Sequence, residues 1–367
     1  MNPSPIAPRW RSLFRRWPAA LLALAIAATC VHWGGGDARA AAPSTPSSSP
    51  FQSLGAAVSW VNSPPLAPES LRGKVVLLDF WTYSCINCLR TLPYIRAWSD
   101  KYRDLGFVVV GVHTPEFGFE HRPANVQRAA ARLGITFPVA VDSNRAIWQA
   151  FGVRAWPSLH FVDASGRVRS RQVGEGGYED AERVIQQLLR EAGRKNVPTD
   201  LVAPQGEGTQ AAPGPMPPAS PETYVGASRS EGFRAASGGL RAGRTHEYSP
   251  APVLGLNEWT LAGQWKVGEE DAQLQRAGGR IAYRFKARDL HLVLGPAEDG
   301  RPVRFRVRLD GQAPGPGGGS DLDASGMGLI DGHRLYQLVR QQPSAAERLF
   351  EIEFLDPGVR AYAFTFG

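Results

Sequence analysis

Apolar residues follow two different patterns along the chain, and the change from one pattern to the other predicts two domains. From residue 51 to 194, nearly continuous apolar runs such as KVVLLDFW (74–81) and FVVVGVHT (107–114) alternate with stretches in which apolar residues recur every three or four positions. The first pattern is typical of strands covered on both faces, and the second of amphipathic helices. Residues 51–194 are therefore predicted to form an α/β domain, with a mixed sheet flanked by helices.

From residue 222 onward, short runs alternate apolar and polar residues and are separated by turn residues. Examples are RIAYRFKA (280–287) and PVRFRVRLDG (302–311). This alternation predicts an all-β sandwich, jelly-roll-like, over residues 222–367. The intervening residues 195–221 are rich in Pro and Gly and are predicted to form an open linker, so that the two domains would fold independently.

The N-terminus has the pattern of an export signal. Four arginines precede the apolar run PAALLALAIAAT (18–29), and ARA (38–40) is a small-x-small cleavage motif. The run is short for a bilayer span, so a cleaved signal peptide over residues 1–40 is expected, with an uncleaved membrane anchor as the alternative. Residues 41–50 would then form a Pro/Ser linker.

Cleavage of such a signal changes how the charge and the cysteines are interpreted. The whole chain has a net charge of +7, but without residues 1–40 it keeps 36 basic and 33 acidic residues, a net charge of +3. The basic balance is thus partly a property of the signal, and no nucleic-acid partner is predicted. The exported protein, periplasmic or otherwise extracytoplasmic, would carry two cysteines, Cys85 and Cys88, into an oxidising compartment.

These two cysteines lie between a strand-like run and a helix-like run in DFWTYSCINCLRTLPY (79–94). A structural zinc site needs four ligands, and a static disulfide across two intervening residues constrains the unfolded chain little. A redox-active dithiol is therefore favoured. Cys85, at the start of the helix, would attack as a thiolate stabilised by the helix N-terminus, and Cys88 would resolve the mixed disulfide. The Cys85–Cys88 disulfide would be the reacting group, with no cofactor and no metal.

The chain resembles known families at several motifs. The dithiol region resembles the thioredoxin fold, and LRGKVVLLDFW (71–81) resembles its TlpA/AhpC-TSA branch. Four further motifs resemble the DipZ family: WTYSCINCLRTLPY (81–94), GVHTPEF (111–117), PETYVG (221–226) and GVRAYAFTFG (358–367).

The resemblance implies roles for residues around the dithiol. Strand alternation places Asp79 below Cys88, where a thioredoxin carboxylate relays the proton of the buried cysteine. Pro157 stands at the place of the cis-proline that faces the dithiol, and it would leave the backbone of Trp156 free to pair with an extended substrate segment.

Three further residues are expected near the dithiol. Glu116, in the loop of GVHTPEF, is a candidate proton-handling residue, with a solvated loop carboxylate as the alternative reading. Trp81 and Tyr83 are expected to shape the substrate-binding surface around Cys85.

The resemblance also implies partners. DipZ proteins join a multi-span CcdA-like electron-transfer module, a thioredoxin-like domain and a carbohydrate-binding-module-like β domain. The multi-span module is not found in this sequence, so a separate CcdA-like membrane electron donor is expected. A glycan ligand of the β domain is also expected. Trp259, Trp265 and Tyr336 could stack on a sugar ring, with core packing as the alternative.

The expected function is an exported thiol–disulfide oxidoreductase that reduces or isomerises disulfides of protein substrates. Two alternatives stay open. One is a peroxidase-like antioxidant protein, which is disfavoured because peroxidatic sites do not normally place the resolving cysteine two residues on. The other is an envelope glycan-binding protein in which the redox role is secondary.

Overall fold

Two β-sheets organise the part of the chain that the structure describes. The structure is a computed structural model that describes residues 50–342 and 345–367. The signal peptide predicted for residues 1–40, and residues 41–49 of the linker after it, lie outside the described residues. No helix within these two ranges is long and apolar enough to cross a membrane.

The first part is an α/β domain. Its elements are, in chain order, β1 (Ser59–Val61), β2 (Val75–Trp81), α1 (Ile86–Tyr102), β3 (Phe107–His113), α2 (Pro123–Arg132), β4 (Val139–Val141), α3 (Ala146–Ala150), β5 (Ser158–Val162), β6 (Val168–Val173) and α4 (Tyr178–Glu191). The strand order is β1-β4-β3-β2-β5-β6. β2, β3 and β4 run parallel, while β1, β5 and β6 pair antiparallel with their neighbours, so the predicted mixed sheet is confirmed.

The central strand β2 and the helix α1 position the two cysteines. Every residue of β2 is buried, as expected for a strand covered on both faces. The chain then leaves the sheet in a short turn, and α1 begins with Cys85 as its N-cap residue. At the other end, Gly106 takes a φ of +77°, a left-handed conformation that glycine adopts without strain. The helical segment therefore ends at Gly106.

The second part is antiparallel and all-β. Its strands among the described residues are β7 (Thr223–Tyr224), β8 (Thr245–Tyr248), β9 (Trp259–Val267), β10 (Ala272–Leu274), β11 (Arg280–Lys286), β12 (Asp289–Gly295), β13 (Val303–Leu309), β14 (Met327–Ile330), β15 (Arg334–Arg340), β16 (Glu347–Phe354) and β17 (Arg360–Phe366). The strand order is β14-β13-β16-β11-β9-β10-β17-β12-β15, with β7 beside β17 and β8 beside β9.

Strand β9 links the two halves of this sheet. Its first half pairs with β11 and its second half with β8 and β10, and Gly263 lies between the halves with a φ of +92°. Side chains from the two halves meet in the core. Trp265 of β9 lies 5.8 Å from Phe354, and Tyr283 lies 5.1 Å from Phe364, measured between ring centroids. The sheet is thus folded over a shared hydrophobic core, which confirms the predicted all-β domain.

The two parts of the chain share apolar side chains. Phe117 and Phe119, from the loop after β3, pack against Tyr362 of β17 at ring-centroid distances of 5.4 and 4.8 Å. A buried ion pair joins Arg90 of α1 to Asp289 of β12, with 3.1 Å between Nη2 and Oδ2. Both parts belong to one compact unit. The two parts are therefore not packed as separate bodies, since Tyr362 of the second part lies in the core of the first; independent folding of each part stays a prediction.

The segment 195–221 also differs from the prediction, since it does not run as an open chain. The Asp200 carboxylate lies 3.1 Å from the Lys101 amine, and Glu182 of α4 accepts the backbone N–H of Val202 at 2.8 Å. Further on, Arg96 donates to the side chain of Gln210 at 2.6 Å. Polar contacts and the partly buried Val197 and Val202 together hold the segment against the α/β domain, which its Pro- and Gly-rich composition did not indicate.

Candidate active site

Cys85 and Cys88 differ sharply in accessibility. Both are free thiols, and Sγ of Cys85 accepts the backbone N–H of Cys88 at 3.4 Å. Cys85 is half-buried at the helix N-terminus, whereas Cys88, one turn into α1, is 1% exposed. A thiolate at Cys85 is stabilised by this hydrogen bond and by the positive end of the helix dipole. The geometry therefore suits Cys85 as the attacking sulfur and Cys88 as the sulfur that acts within the protein.

Asp79 on β2 is a buried carboxylate within electrostatic reach of Cys88. It is 2% exposed, and its Oδ1 has no hydrogen-bond partner among the described residues. Burial raises the pKa of Asp79 from 3.8 to about 7. Burial also raises the pKa of the Cys88 thiol well above its ordinary value, and the neighbouring Cys85 and the charge of Asp79 raise it further. A carboxylate with a pKa near 7, such as Asp79, can accept the proton of a neighbouring thiol whose own pKa is raised, such as Cys88.

The peptide bond between Trp156 and Pro157 is cis, as the resemblance implied. The half-buried Trp156 packs its ring against Trp148, with 4.4 Å between centroids, and the guanidinium of Arg145 lies 5.3 Å from the Trp156 ring. Trp156 and Cys85 line the same groove, which has a volume of about 1040 Å³. The predicted substrate-binding position of Trp156 is thus beside the attacking sulfur.

The groove is also lined by segments that were not predicted to lie near the dithiol. Pro213, Met216 and Pro218 of the linker line it, together with Tyr224 and Arg229 of the second part. The Met216 side chain is largely exposed. An incoming polypeptide would therefore touch both parts of the chain at once.

Glu116 lines the groove, and its carboxylate is bound by two side chains of the second part. Its Oε1 accepts the hydroxyl hydrogen of Tyr224 at 2.7 Å and lies 3.3 Å from the guanidinium of Arg229. The carboxylate therefore ties the loop after β3 to the β domain. The predicted proton-handling role of Glu116 stays a prediction.

Trp81 and Tyr83 do not shape the surface around Cys85, and this prediction is wrong. Trp81 is 0% exposed and Tyr83 is 4% exposed. The Tyr83 ring stacks on His113 at 5.3 Å and lies 5.9 Å from Phe119. Because β2 is covered on both faces and the β domain covers the turn after it, both rings are core side chains.

Glu120 is a buried residue beside the dithiol turn that sequence reasoning missed. Its Oε1 accepts hydrogen bonds from the hydroxyls of Thr82 and Ser84, the latter at 2.7 Å. Its Oε2 accepts the backbone N–H groups of Glu116 and Phe117 at 2.7 and 3.0 Å. Burial raises the pKa of Glu120 to about 7, although the hydrogen bonds from Thr82 and Ser84 oppose the rise.

This carboxylate thus joins the turn that precedes Cys85 to the loop that contacts the β domain. In the sequence, Glu120 is one of two acids in PEFGFEH (115–121), and no pattern separates it from Glu116. A short 3-10 helix, Gly118–His121, turns its side chain inward.

The aromatic residues proposed for sugar stacking lie in the core of the β domain. Trp259, Trp265 and Tyr336 are fully buried. Their indole N–H groups and the tyrosine hydroxyl bond to neighbouring groups, such as the carbonyls of Glu231 and Ala262. Core packing, the alternative reading, therefore describes all three.

Comparison with known proteins agrees with the geometry of the dithiol. A family model described as Redoxin matches residues 63–188, and one described as Thioredoxin like C-terminal domain matches residues 220–367. The DipZ proteins of Mycobacterium bovis and Mycobacterium tuberculosis are each 37% identical over 259 residues, which is 68% of this chain and 36% of each relative. The chain thus spans about a third of the length of these relatives.

A shorter relative is covered almost completely. The thiol–disulfide oxidoreductase YkuV of Bacillus subtilis is 30% identical over 142 residues, which is 39% of this chain and 95% of YkuV. The resemblance to the DipZ family is confirmed, while a carbohydrate-binding nature of the second part stays a prediction. With its dithiol at the N-terminus of α1, this chain belongs to the thioredoxin-fold thiol–disulfide oxidoreductases and is DipZ-like.

Proposed function

We propose that the chain reduces or isomerises disulfides of other proteins through Cys85 and Cys88. The observation that carries the proposal is the asymmetry of the dithiol. Cys85 opens onto a groove of about 1040 Å³ and caps a helix, whereas Cys88 is shielded beneath it. An extended polypeptide segment is the substrate that fits a groove running past Trp156 and the linker.

In the reducing direction, the Cys85 thiolate attacks one sulfur of the substrate disulfide. The substrate S–S bond breaks, a mixed disulfide with Cys85 forms, and the displaced substrate thiolate takes up a proton. Cys88 then transfers its proton to Asp79 and attacks Cys85, which releases the second substrate thiol. Two electrons pass to the substrate, and the Cys85–Cys88 disulfide remains. In isomerisation, a second substrate thiol attacks the mixed disulfide instead and returns Cys85 reduced.

A reductase of this kind needs a thiol donor to reduce its disulfide again. Cys30, within the predicted signal peptide, is the only other cysteine of the sequence. The resemblance to DipZ makes a CcdA-like membrane protein the candidate donor. The signal-like N-terminus supports an extracytoplasmic location for the exchange.

Trapping of mixed disulfides tests the roles of the two cysteines. Cys88→Ser keeps the attacking sulfur and removes the resolving one, so we expect it to accumulate mixed disulfides that a thiol reductant releases. Cys85→Ser is the matched control and should trap none above background. Non-reducing electrophoresis with mass spectrometry identifies the partners. Trapping mainly by Cys85→Ser would reverse the assignment, and trapping by neither variant would contradict the proposed function.

A further inference from the structure

A second cavity lies between the two parts of the chain, away from the dithiol groove. It has a volume of about 940 Å³ and shares no lining residue with the groove over Cys85. The α2 helix forms one wall, and loops of the β domain form the other. This volume falls in the usual range of sites for small organic ligands.

The α2 wall of this cavity is cationic. Arg128 and Arg132 are four residues apart and therefore lie on one face of α2, and Arg122 directly precedes the helix. Arg132 extends across the cavity to Gly332. Its guanidinium lies 3.7 Å from the position that a Cβ atom would occupy if Gly332 had a side chain. Burial lowers the pKa of the neighbouring His333 to about 4, and the charges of Arg360, Arg122 and Arg128 lower it further. Arg122, Arg128 and Arg132 all line the cavity that His333 also lines.

These three arginines lack carboxylate partners among the described residues, whereas the acids of the cavity are engaged. The Asp321 carboxylate lies 2.8 Å from the Arg334 guanidinium, and Glu270 accepts the backbone N–H of Gly118 at 2.8 Å. Five of the six carboxylates on the walls contact an arginine or a backbone amide: Asp321, Asp331, Glu270, Asp271 and Glu298. Exposed arginines without a carboxylate partner, gathered along one wall of a cavity, favour an incoming anion.

The inner end of the cavity is aromatic. Phe119 contacts His333 and Tyr362, each at a ring-centroid distance of 4.8 Å. Tyr83 also lines the cavity, and its side chain is 4% exposed, so it contributes a largely covered ring to this end.

We propose that this cavity binds a small organic anion. The phosphate or carboxylate group would be held by Arg122, Arg128 and Arg132, and the body of the ligand would lie against Phe119. The proposal goes beyond thiol–disulfide exchange. It gives the β domain a role as one wall of a ligand site, because neither part of the chain forms the cavity alone.

Titration of the full chain with two anions tests the site. Pyrophosphate supplies the phosphate chemistry, glucuronate supplies a carboxylate on a ring, and glucose is the neutral control. Isothermal titration calorimetry at low ionic strength should show saturable binding of at least one anion and none of glucose. Binding of pyrophosphate alone identifies a phosphate ligand, and binding of glucuronate alone identifies a carboxylate ligand.

Charge-removing variants locate the binding. Arg128→Gln and Arg132→Gln should each weaken it about tenfold, since each removes a charge-assisted hydrogen bond. Arg190→Gln, at an exposed position of α4, is the matched control and should leave the affinity unchanged. Disulfide reduction should proceed at the wild-type rate in all three variants. The proposal is overturned if neither anion binds saturably, if the double variant Arg128→Gln/Arg132→Gln binds as wild type does, or if Arg190→Gln weakens binding equally.

Discussion

Asp79→Asn should stabilise the folded protein and slow its chemistry. The asparagine has nearly the same shape but cannot ionise. In the folded protein, burial raises the pKa of Asp79 from 3.8 to about 7, and Oδ1 receives no hydrogen bond from the described residues. The ionised Asp79 carboxylate therefore destabilises the folded protein. A role in proton transfer explains why the chain would keep such a group.

The size and the pH window of the effect follow from the two pKa values. Between pH 3.8 and about 7, the folded state holds a proton that the unfolded state has lost, so the stability of the wild-type protein falls as the pH rises through this window. Each pKa unit corresponds to about 1.4 kcal/mol, which gives a loss of about 4 kcal/mol above pH 7. Asp79→Asn lacks this loss. Its free energy of unfolding should match that of wild type near pH 4 and exceed it by about 4 kcal/mol at pH 8.

Guanidinium unfolding of the reduced proteins, repeated from pH 4 to pH 8, measures this difference. Asp104→Asn, at an exposed position of the same domain, is the control and should show no comparable trend. In single-turnover reduction of a disulfide peptide, Asp79→Asn should slow the resolution step roughly 100-fold, because Cys88 loses its proton acceptor. A stability difference that stays constant across the pH range, or a resolution rate equal to that of wild type, would refute the reasoning.

Two further predictions concern the connections around the dithiol. Glu120→Gln should show the same pH trend as Asp79→Asn, because burial raises the pKa of Glu120 from 4.5 to about 7 and the wild-type protein therefore loses about 3 kcal/mol of stability as the pH rises through this window, a loss that glutamine lacks; unfolding from pH 4 to pH 8 with Asp104→Asn as control measures this, and a difference from wild type that stays constant with pH would contradict it. Residues 41–194 alone should unfold at a lower temperature than the full chain, because removal of the β domain exposes Phe117 and Phe119 and leaves Arg90 without Asp289. An equal unfolding temperature would show that the shared core adds no stability.

Local patterns in the sequence were sufficient to predict the elements that carry the dithiol. The apolar run of β2 and the helical spacing of α1 are properties of neighbouring residues, and they place Cys85 at the start of the helix and Cys88 one turn into it. Burial of Asp79 follows as well, since a strand covered on both faces buries every side chain it carries.

The same sequence patterns could not predict which segment of the chain packs against each face of a strand. Trp81 and Tyr83 were expected at the surface, because alternation gives the side of a strand to which a residue points but not the chain segment that packs there. The inward turn of Glu120 depends on a short 3-10 helix without a distinctive pattern of its own.

Contacts between the two parts of the chain were decided only by the tertiary structure. Glu116 and Tyr224 are 108 residues apart, and Arg90 and Asp289 are 199 residues apart. Periodicity and composition describe interactions within a few residues, whereas these contacts depend on two separately formed surfaces meeting in one orientation. Local chemistry in the sequence therefore determined the reacting sulfurs, while long-range packing decided the groove over them and the cavity beside them.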